Sequence, residues 1–445
     1  MINAVTVKEL LGIGDCEIDK TEEAYDKKDH KLKIIHMHYI GDMPDTCHIC
    51  GEPFYKHGKR TINFEDTPIG GVRTTFRITV PRRHCMKCGT TYQPYIDGTY
   101  SNTQSLGSHM ITQRAFNTIA QKAVRNTFQS VAADYNLSAN TIKNIFTTFV
   151  AEHKDALSFE TPTIMGLDEI KIKKIGIVTV VTDIEHRTLY DMFLGRTKED
   201  LTRYFSKMSG RENVKYICSD MYGPFMTAGE PFFPDATWII DHFHVVGKAN
   251  EAIDDIRRTI QGNMTKCMRI STKRGLAYTL KTRAKDLDTE EGQKIALCRK
   301  TPGYEPLAIA FDLKEDFFGI YENNNTSMDN ARKEYAKWEN TIPADPIYDK
   351  FREIAKMVVN HENEIFNYWS APYAITNAFT ECSNRLIRED NLKGRGYSFD
   401  VLRARSLFRG VNLEALLDGK YTIGPQLEEK APNFIFEAQS DDEDD

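Results

Sequence analysis

Residues 164–195 read IMGLDEIKIKKIGIVTVVTDIEHRTLYDMFLG. Three apolar-rich runs, IMGLDEIKI, IGIVTVVTD and TLYDMFLG, follow one another with links of only a few residues. Links that short join antiparallel neighbours, because a parallel pair needs a crossover of a dozen or more residues. The stretch therefore predicts a three-stranded antiparallel meander. A helix (KEDLTRYFSKM), a buried-looking strand (VKYICSD) and a further strand (ATWIID) follow it. An acid, Asp168, sits inside the first of these strands, and a second, Asp220, ends the fourth. The C-terminal end of a strand is where a sheet presents catalytic side chains.

The 445-residue chain is 40% hydrophobic and 27% charged, which suits a globular protein of several domains. It contains no apolar run near the length of a membrane span and no charged-then-apolar leader, so a cytoplasmic protein without membrane partners is expected. The net charge of -6 is unevenly placed. Residues 428–445 (EEKAPNFIFEAQSDDEDD) carry eight acids and one lysine, which leaves the body near neutral. Within that body, Ile256 to Lys285 holds nine Lys or Arg and no acid: Arg257, Arg258, Lys266, Arg269, Lys273, Arg274, Lys281, Arg283 and Lys285. Such a block reads either as a solvated helical face or as a phosphate-contacting surface.

Nine cysteines include two close pairs, Cys47/Cys50 and Cys85/Cys88, each in a CxxCG knuckle. Each knuckle sets two thiolates in one tight turn, and two knuckles complete a tetrahedral four-sulfur site of the kind Zn²⁺ favours. A closed site leaves no position for water, so the expected role is structural, with His48 and His84 as bystanders. TINFED and VRTTFRITV between the knuckles read as strands around a PIGG turn. Residues 1–40 offer a weak helical start and a strand-like run, LKIIHMHYI, without a readable role.

Residues 109–150 contain no Gly or Pro and show helical spacing. NTFQSVAADYNLSANTIKNIFTTFV reads as a helix ending at Tyr135, a turn at Asn136-Leu137 and a second helix capped by Ser138. The outer face of that helix offers Asn140, Thr141, Lys143, Asn144 and Thr147, groups of the kind that reach bases and phosphates in the major groove. A plain helical hairpin fits the same pattern.

A third acid lies in APYAITNAFTECSNRLIRED. At about 100° per residue, Ile375, Phe379, Cys382 and Leu386 share one face, while Asn377, Glu381, Arg385 and Arg388 share another. The expectation is a helix that packs its apolar face on the sheet and points Glu381 along the sheet edge. Glu169, Asp183 and Glu389 are competing acids nearby, and isolated acids at strand ends are commonly just solvated.

The paired CxxC knuckles, the helix-turn-helix pattern, GLDE, SDMYGPF, DHFHV and NAFTECSNRLIR before GRGY together resemble the ISL-three family of bacterial insertion-sequence transposases over nearly all of residues 40–410. The resemblance implies an α/β multidomain chain with a ribonuclease-H-like core, an inserted all-helical domain, and a preceding zinc ribbon and helix-turn-helix. Its boundaries are residues 1–40 of unclear role, a ribbon at 41–100, a helix-turn-helix domain at 105–155, core at 160–250 and 366–420, a helical insertion at 251–365 and an acidic tail at 421–445. The resemblance implies a DDE triad of Asp168, Asp220 and Glu381. It further implies binding of terminal inverted repeats in double-stranded DNA, Mg-dependent cleavage at the element ends, strand transfer, a homo-oligomer of at least two copies, and a place at the bacterial nucleoid.

The residue types suit that chemistry independently. Two hard divalent ions, Mg²⁺ or Mn²⁺, take oxygen ligands, and three carboxylates neutralise much of their charge while leaving room for water and phosphate. Arg257, Arg258, Arg385, Arg388 and Arg395 are candidate phosphate contacts. In TWIIDHFHVV (237–246), Asp241 and His244 are three apart and can share a helical face, whereas His242 and His244 cannot readily hold one metal together. The D-x-x-H spacing resembles a signature of several transposase families, which implies that His244 contacts the scissile phosphate or braces the metal site while Asp241 orients it. A histidine that merely caps the following helix is the simpler alternative. A non-catalytic DNA-binding regulator and a stand-alone nuclease are the rival functions.

Overall fold

The computed structural model describes residues 4–26, 29–101, 110–262, 275–322 and 327–420. The acidic tail, and Lys266, Arg269, Lys273 and Arg274 of the basic block, lie outside the described residues. The protein is a mixed α/β chain with two five-stranded sheets, and it divides into two compact units. One is built from Met1–Phe159 with Glu389–Gly424, the other on Glu160–Arg388. No described helix is long and apolar enough to cross a membrane.

The first unit opens with helix α1 (Ala4–Leu11) and a sheet of β1 (Cys16–Tyr25), β2 (Lys31–Tyr39), β3 (Phe54–Ile69), β4 (Val72–Cys85) and the short β5 (Thr91–Tyr92). Its order is β1-β2-β4-β3, with β5 on β4. β3 and β4 meet at Gly70-Gly71, whose φ values of +64° and +74° provide the two positive dihedrals that a type I′ hairpin turn needs. Alternate residues Ile62, Phe64, Phe76, Ile78 and Val80 bury one face together with Ile35 and Met37. Residues 16–39 thus belong to the same sheet as the hairpin that joins the two knuckles. β2 lies parallel to β4, a pairing between distant segments.

Three helices follow: α2 (Gln113–Arg125), α3 (Phe128–Asp134) and α4 (Ala139–Glu152). Thr112, Thr127 and Ser138 cap them, each accepting a hydrogen bond from the backbone N–H three residues on. Phe116, Ile119, Val131, Ile142, Phe146 and Phe149 form their common core. The helix Phe399–Phe408 packs Val401, Ala404 and Phe408 into that same core. This differs from the sequence-based division, which ran the second part of the catalytic core through residue 420. A buried cation joins this apolar packing. Arg405 donates to the carbonyls of Ala123 and Asn126, at the end of α2, and its guanidinium lies 4.8 Å from the Tyr397 ring centroid.

The second unit holds β6 (Ile164–Ile172), β7 (Gly176–Asp183), β8 (Thr188–Leu194), β9 (Tyr216–Ser219) and β10 (Thr237–Ile240), in the order β10-β9-β6-β7-β8. β6, β7 and β8 are the expected antiparallel meander, and β9 and β10 run parallel to β6 and to each other. α5 (Lys198–Phe205) and α6 (Gly223–Gly229) link these strands, and Leu201, Phe205 and Phe225 pack on Leu167 and Val181. After β10 come α7 (His242–Gly262) and the helices Thr289–Lys300, Glu305–Glu322, Met328–Thr341 and Asp349–Asn360. They share one core of Val245, Ala249, Ile253, Phe311, Phe317, Trp338 and Phe351. The helix Ala378–Lys393 comes next.

Candidate active site and cysteine cluster

Strand register brings the first two carboxylates together. Leu167 pairs with Ser219 across the parallel β6–β9 ladder, so the next residue on each segment, Asp168 and Asp220, emerges beside the other. Glu169 joins them: Asp168, Glu169 and Asp220 each offer an oxygen within 4.8 Å of the others. Glu169, a competitor in sequence terms, thus stands inside the cluster, while Glu381 is not among the three.

Asp168 is buried, and its carboxylate accepts hydrogen bonds from the Glu169 N–H (2.8 Å) and from Asn384 Nδ2 (2.6 Å). Burial, with Glu381 and Asp220 adding to it, pushes its pKa up to about 7 against the pull of the Glu169 N–H and His244. Burial also raises Asp220, opposed by the Tyr222 N–H, His244 and Arg196. Burial and the Asp220 charge raise Glu169, although Arg196 Nη1 lies 2.5 Å from its Oε1.

The helix bearing Glu381 leaves Glu381, Arg385 and Arg388 exposed as expected, but the face it buries is turned away from the predicted apolar one. Its buried residues include Thr380, Ser383, Asn384 and Ile387, with Asn377 just before the helix, whereas Leu386 is exposed and Phe379 and Cys382 are only partly covered. The face turned to the sheet is largely polar because it meets polar groups there. Asn377 Nδ2 donates to the Leu167 carbonyl (2.9 Å), Thr380 Oγ1 donates to Asn377 Oδ1 (2.6 Å), and Thr380 and Thr182 hydroxyls lie 2.6 Å apart. Gly166 makes room for this cluster. A Cβ there would meet Thr182 Oγ1 at 2.4 Å, Thr380 Oγ1 at 2.5 Å and Asn377 Oδ1 at 2.7 Å.

At the start of α7 the two histidines diverge. Asp241 is fully buried, its N–H donates to the Ser219 carbonyl (2.8 Å), and neither of its carboxylate oxygens has a hydrogen-bond partner among the described residues. His242 Nδ1 lies 3.6 Å from Asp241 Oδ1, and its ring sits among Tyr321 and Tyr368, 5.5 and 5.2 Å away between centroids. His244 instead points Nε2 to within 3.3 Å of Glu381 Oε1. That carboxylate, with help from Asp241, raises His244 to about 9 against the effect of burial, so the imidazole is cationic at neutral pH.

The candidate DNA contacts divide by exposure. Asn140 and Lys143 are exposed on α4 and Asn144 is half-buried, but Thr141 is buried, its hydroxyl 2.9 Å from that of the capping Ser138. Thr141 therefore belongs to the cap and not to the outer face. Arg257 is likewise turned inward, bonded to Asp254 (2.8 Å) and Gln261 (2.5 Å), which removes it from the surface candidates. Arg258 is exposed and pairs with Asp254 at 2.8 Å. Arg385, Arg388 and Arg395 are exposed, the last at a φ of +58°.

In the first unit, Cys47, Cys50, Cys85 and Cys88 place their sulfurs within 4.8 Å of one another, with Cys47–Cys88 at 3.6 Å and Cys50–Cys85 at 3.5 Å. The β3–β4 hairpin assembles the set, since Phe54 pairs with Cys85 at its open end. Each knuckle closes through a hydrogen bond from its glycine N–H, Gly51 or Gly89, to the carbonyl of its first cysteine. Both glycines have φ near +75°, a region that side chains disfavour. His48 and His84 contribute to rings, not to the sulfur cluster.

Residues 165–406, which include every carboxylate and histidine of the second-unit site, match the ISL3 model of the DDE transposases, described as Transposase. The chain is also similar to a transposase for insertion sequence element IS1001 from Bordetella parapertussis, 22% identical over 299 residues that cover 66% of this chain and 71% of that one. Both comparisons give the same class, an insertion-sequence transposase. Within that class, the chain belongs to the ISL3 family.

Proposed function

We propose that the chain cuts and joins double-stranded DNA at the ends of its own element, using divalent metal held by acidic residues of a ribonuclease-H-like core. The observation that carries this reading is the convergence of Asp168, Glu169 and Asp220 oxygens within 4.8 Å on neighbouring strands. The strand order, an antiparallel meander extended on its first strand by two parallel neighbours, supports the core assignment. The family membership supports the reaction.

A divalent cation fits the residues present. Three hard oxygen donors converge at a partly buried site, and Asp168, raised first by burial and then by the neighbouring acids, is a carboxylate whose charged form a cation would stabilise. Asp168, Asp220 and one glutamate, Glu169 or Glu381, would hold Mg²⁺ or Mn²⁺. Bound there, such ions would supply activation of a water or 3′-hydroxyl and stabilisation of the leaving oxygen in an in-line displacement. The chain's own residues prepare the site. Asn384 orients Asp168, the Tyr222 N–H orients Asp220, and cationic His244 places a positive charge beside Glu381, where it is able to meet a phosphate.

The four sulfurs fit Zn²⁺ as well. Their separations of 3.5 and 3.6 Å approach the edge of about 3.8 Å that a tetrahedron with 2.3 Å arms requires. The zinc-bearing sheet and helices α2–α4 are read as the DNA-binding part, with Asn140, Lys143 and Asn144 on its surface. Two element ends must be joined in one event, so the working form is an assembly of at least two copies at the nucleoid.

The test is a labelled duplex carrying one element end, incubated with protein and Mg²⁺. Cleaved and strand-transferred products are expected from the wild type and neither from Asp220→Ala. Binding without cleavage would make the protein a regulator, and cleavage without joining a nuclease.

A further inference from the structure

Arg196 is not a residue that the sequence pattern singled out, yet it borders the carboxylate cluster. It follows β8 directly, and its backbone is fixed on both sides. Gly195 N–H donates to the Ile177 carbonyl (2.9 Å), Thr179 Oγ1 donates to the Gly195 carbonyl (2.7 Å), and Thr197 with Asp200 forms the capping box of α5. From this rigid root the side chain reaches Glu169, Nη1 to Oε1 at 2.5 Å, and its guanidinium lies 4.9 Å from the Tyr222 ring centroid. The side chain remains 40% exposed, so it can accept an external partner without unpacking.

Glu169 uses only one oxygen in that pair. Its Oε2 is buried and has no hydrogen-bond partner among the described residues, and the same carboxylate belongs to the three-acid cluster. Glu169 therefore has two competing cations within reach, the guanidinium and any ion held with Asp168 and Asp220. An arginine that loses its carboxylate while stacked on an aromatic ring keeps a planar fork of donors suited to a phosphate.

We propose that Arg196 is a phosphodiester-contacting residue of this site, and that Glu169 passes from Arg196 to the metal ion when the ion enters, freeing the guanidinium for the DNA backbone. This rests on the metal-dependent reading above. It makes ordered loading a property of one ion pair: metal first, then a tight grip on the phosphate beside it.

The experiment measures two affinities of the full-length protein, for Mn²⁺ by electron paramagnetic resonance and for a fluorescent duplex of the element end. Duplex binding is measured without metal and with Ca²⁺ in place of Mg²⁺. Arg196→Ala removes the competitor for Glu169, so Mn²⁺ binding should tighten severalfold, while duplex binding in Ca²⁺ weakens about tenfold, as for a lost charge-assisted hydrogen bond. Arg196→Lys should keep most of the duplex affinity. Glu169→Gln should bind Mn²⁺ more weakly and the metal-free duplex more tightly, a pairing of effects that a purely structural role would not produce. If Arg196→Ala and Glu169→Gln both leave duplex affinity at the wild-type value, the proposal is overturned, whatever happens to the melting temperature. If wild type and Asp220→Ala bind Mn²⁺ equally, the metal site itself fails, a result separate from the fate of Arg196.

Discussion

His244 Nε2 stands 3.3 Å from Glu381 Oε1, so the start of α7 and the helix Ala378–Lys393 meet through a charge pair at the edge of the carboxylate cluster. The pair holds His244 at about 9, above its ordinary 6.5. A raised histidine favours folding fully below pH 6.5, and that contribution disappears as pH climbs through 9. Titration of the His244 ring by NMR should show it protonated through neutral pH, and Glu381→Gln should bring its midpoint back toward the ordinary value. An unchanged midpoint in that variant would assign the shift to other groups.

Asp168 shifts in the same direction, over a lower pH window. Its folded pKa of about 7 exceeds the ordinary 3.8, so the folded state holds a proton that the unfolded chain has released. The metal-free protein should therefore lose stability as pH rises from about 4 to about 7, and Asp168→Asn should flatten that slope. Added Mg²⁺ should raise the melting temperature more at pH 8 than at pH 5, because the cation then competes with no proton.

Gly166 tests how the helix that carries Glu381 is placed. Gly166→Ala would push a methyl group into Thr182, Thr380 and Asn377, with Thr182 Oγ1 and Thr380 Oγ1 belonging to β7 and to the helix that carries Glu381. Overpacking of this kind costs about 1–3 kcal/mol. We expect a lower denaturation midpoint and a loss of strand transfer larger than the stability change explains. Full activity in Gly166→Ala would mean that the helix tolerates displacement.

Much of this was legible in the sequence because it is local. The knuckles, the Ser138 cap and the meander of residues 164–194 are written in short spacings that the backbone must obey. What escaped was set by contacts between distant segments. The wheel of residues 375–388 put its apolar face on the sheet because polarity alone cannot reveal that Thr182 and the Leu167 carbonyl wait opposite Thr380 and Asn377. Arg257 read as a surface base because its burial depends on Asp254 and on the helices packed around α7. Residues 16–39 gave no sign of their role because β2 pairs parallel with a strand 41 positions further on, as between Leu32 and Arg73.

Arg405 is the sharpest stability prediction. It is 1% exposed, donates to two carbonyls at the end of α2, stacks near Tyr397 and lies 3.8 Å from Asp390, which Arg409 also holds at 2.5 Å. Arg409 still holds Asp390 when Arg405 is removed, so the loss falls on the Ala123 and Asn126 carbonyls, left without this donor at a cost of about 1–3 kcal/mol. Arg405→Ala also opens a void among Phe128, Tyr397, the end of α2 and the start of α3. A lysine does not rescue it, since an ammonium lacks the planar face that the guanidinium lays near the Tyr397 ring while Nη1 reaches both carbonyls. Urea denaturation should show Arg405→Ala and Arg405→Lys strongly destabilised. Arg258→Ala, with a side chain 73% exposed, should fall within about 0.5 kcal/mol of wild type. Because Ala123, Asn126, Asp390, Phe128 and Tyr397, which Arg405 meets, all belong to the first unit, Mn²⁺ affinity should survive in Arg405→Lys at temperatures where the variant stays folded. Loss of metal binding together with unchanged urea stability would reverse the assignment, making Arg405 a site residue and not an anchor.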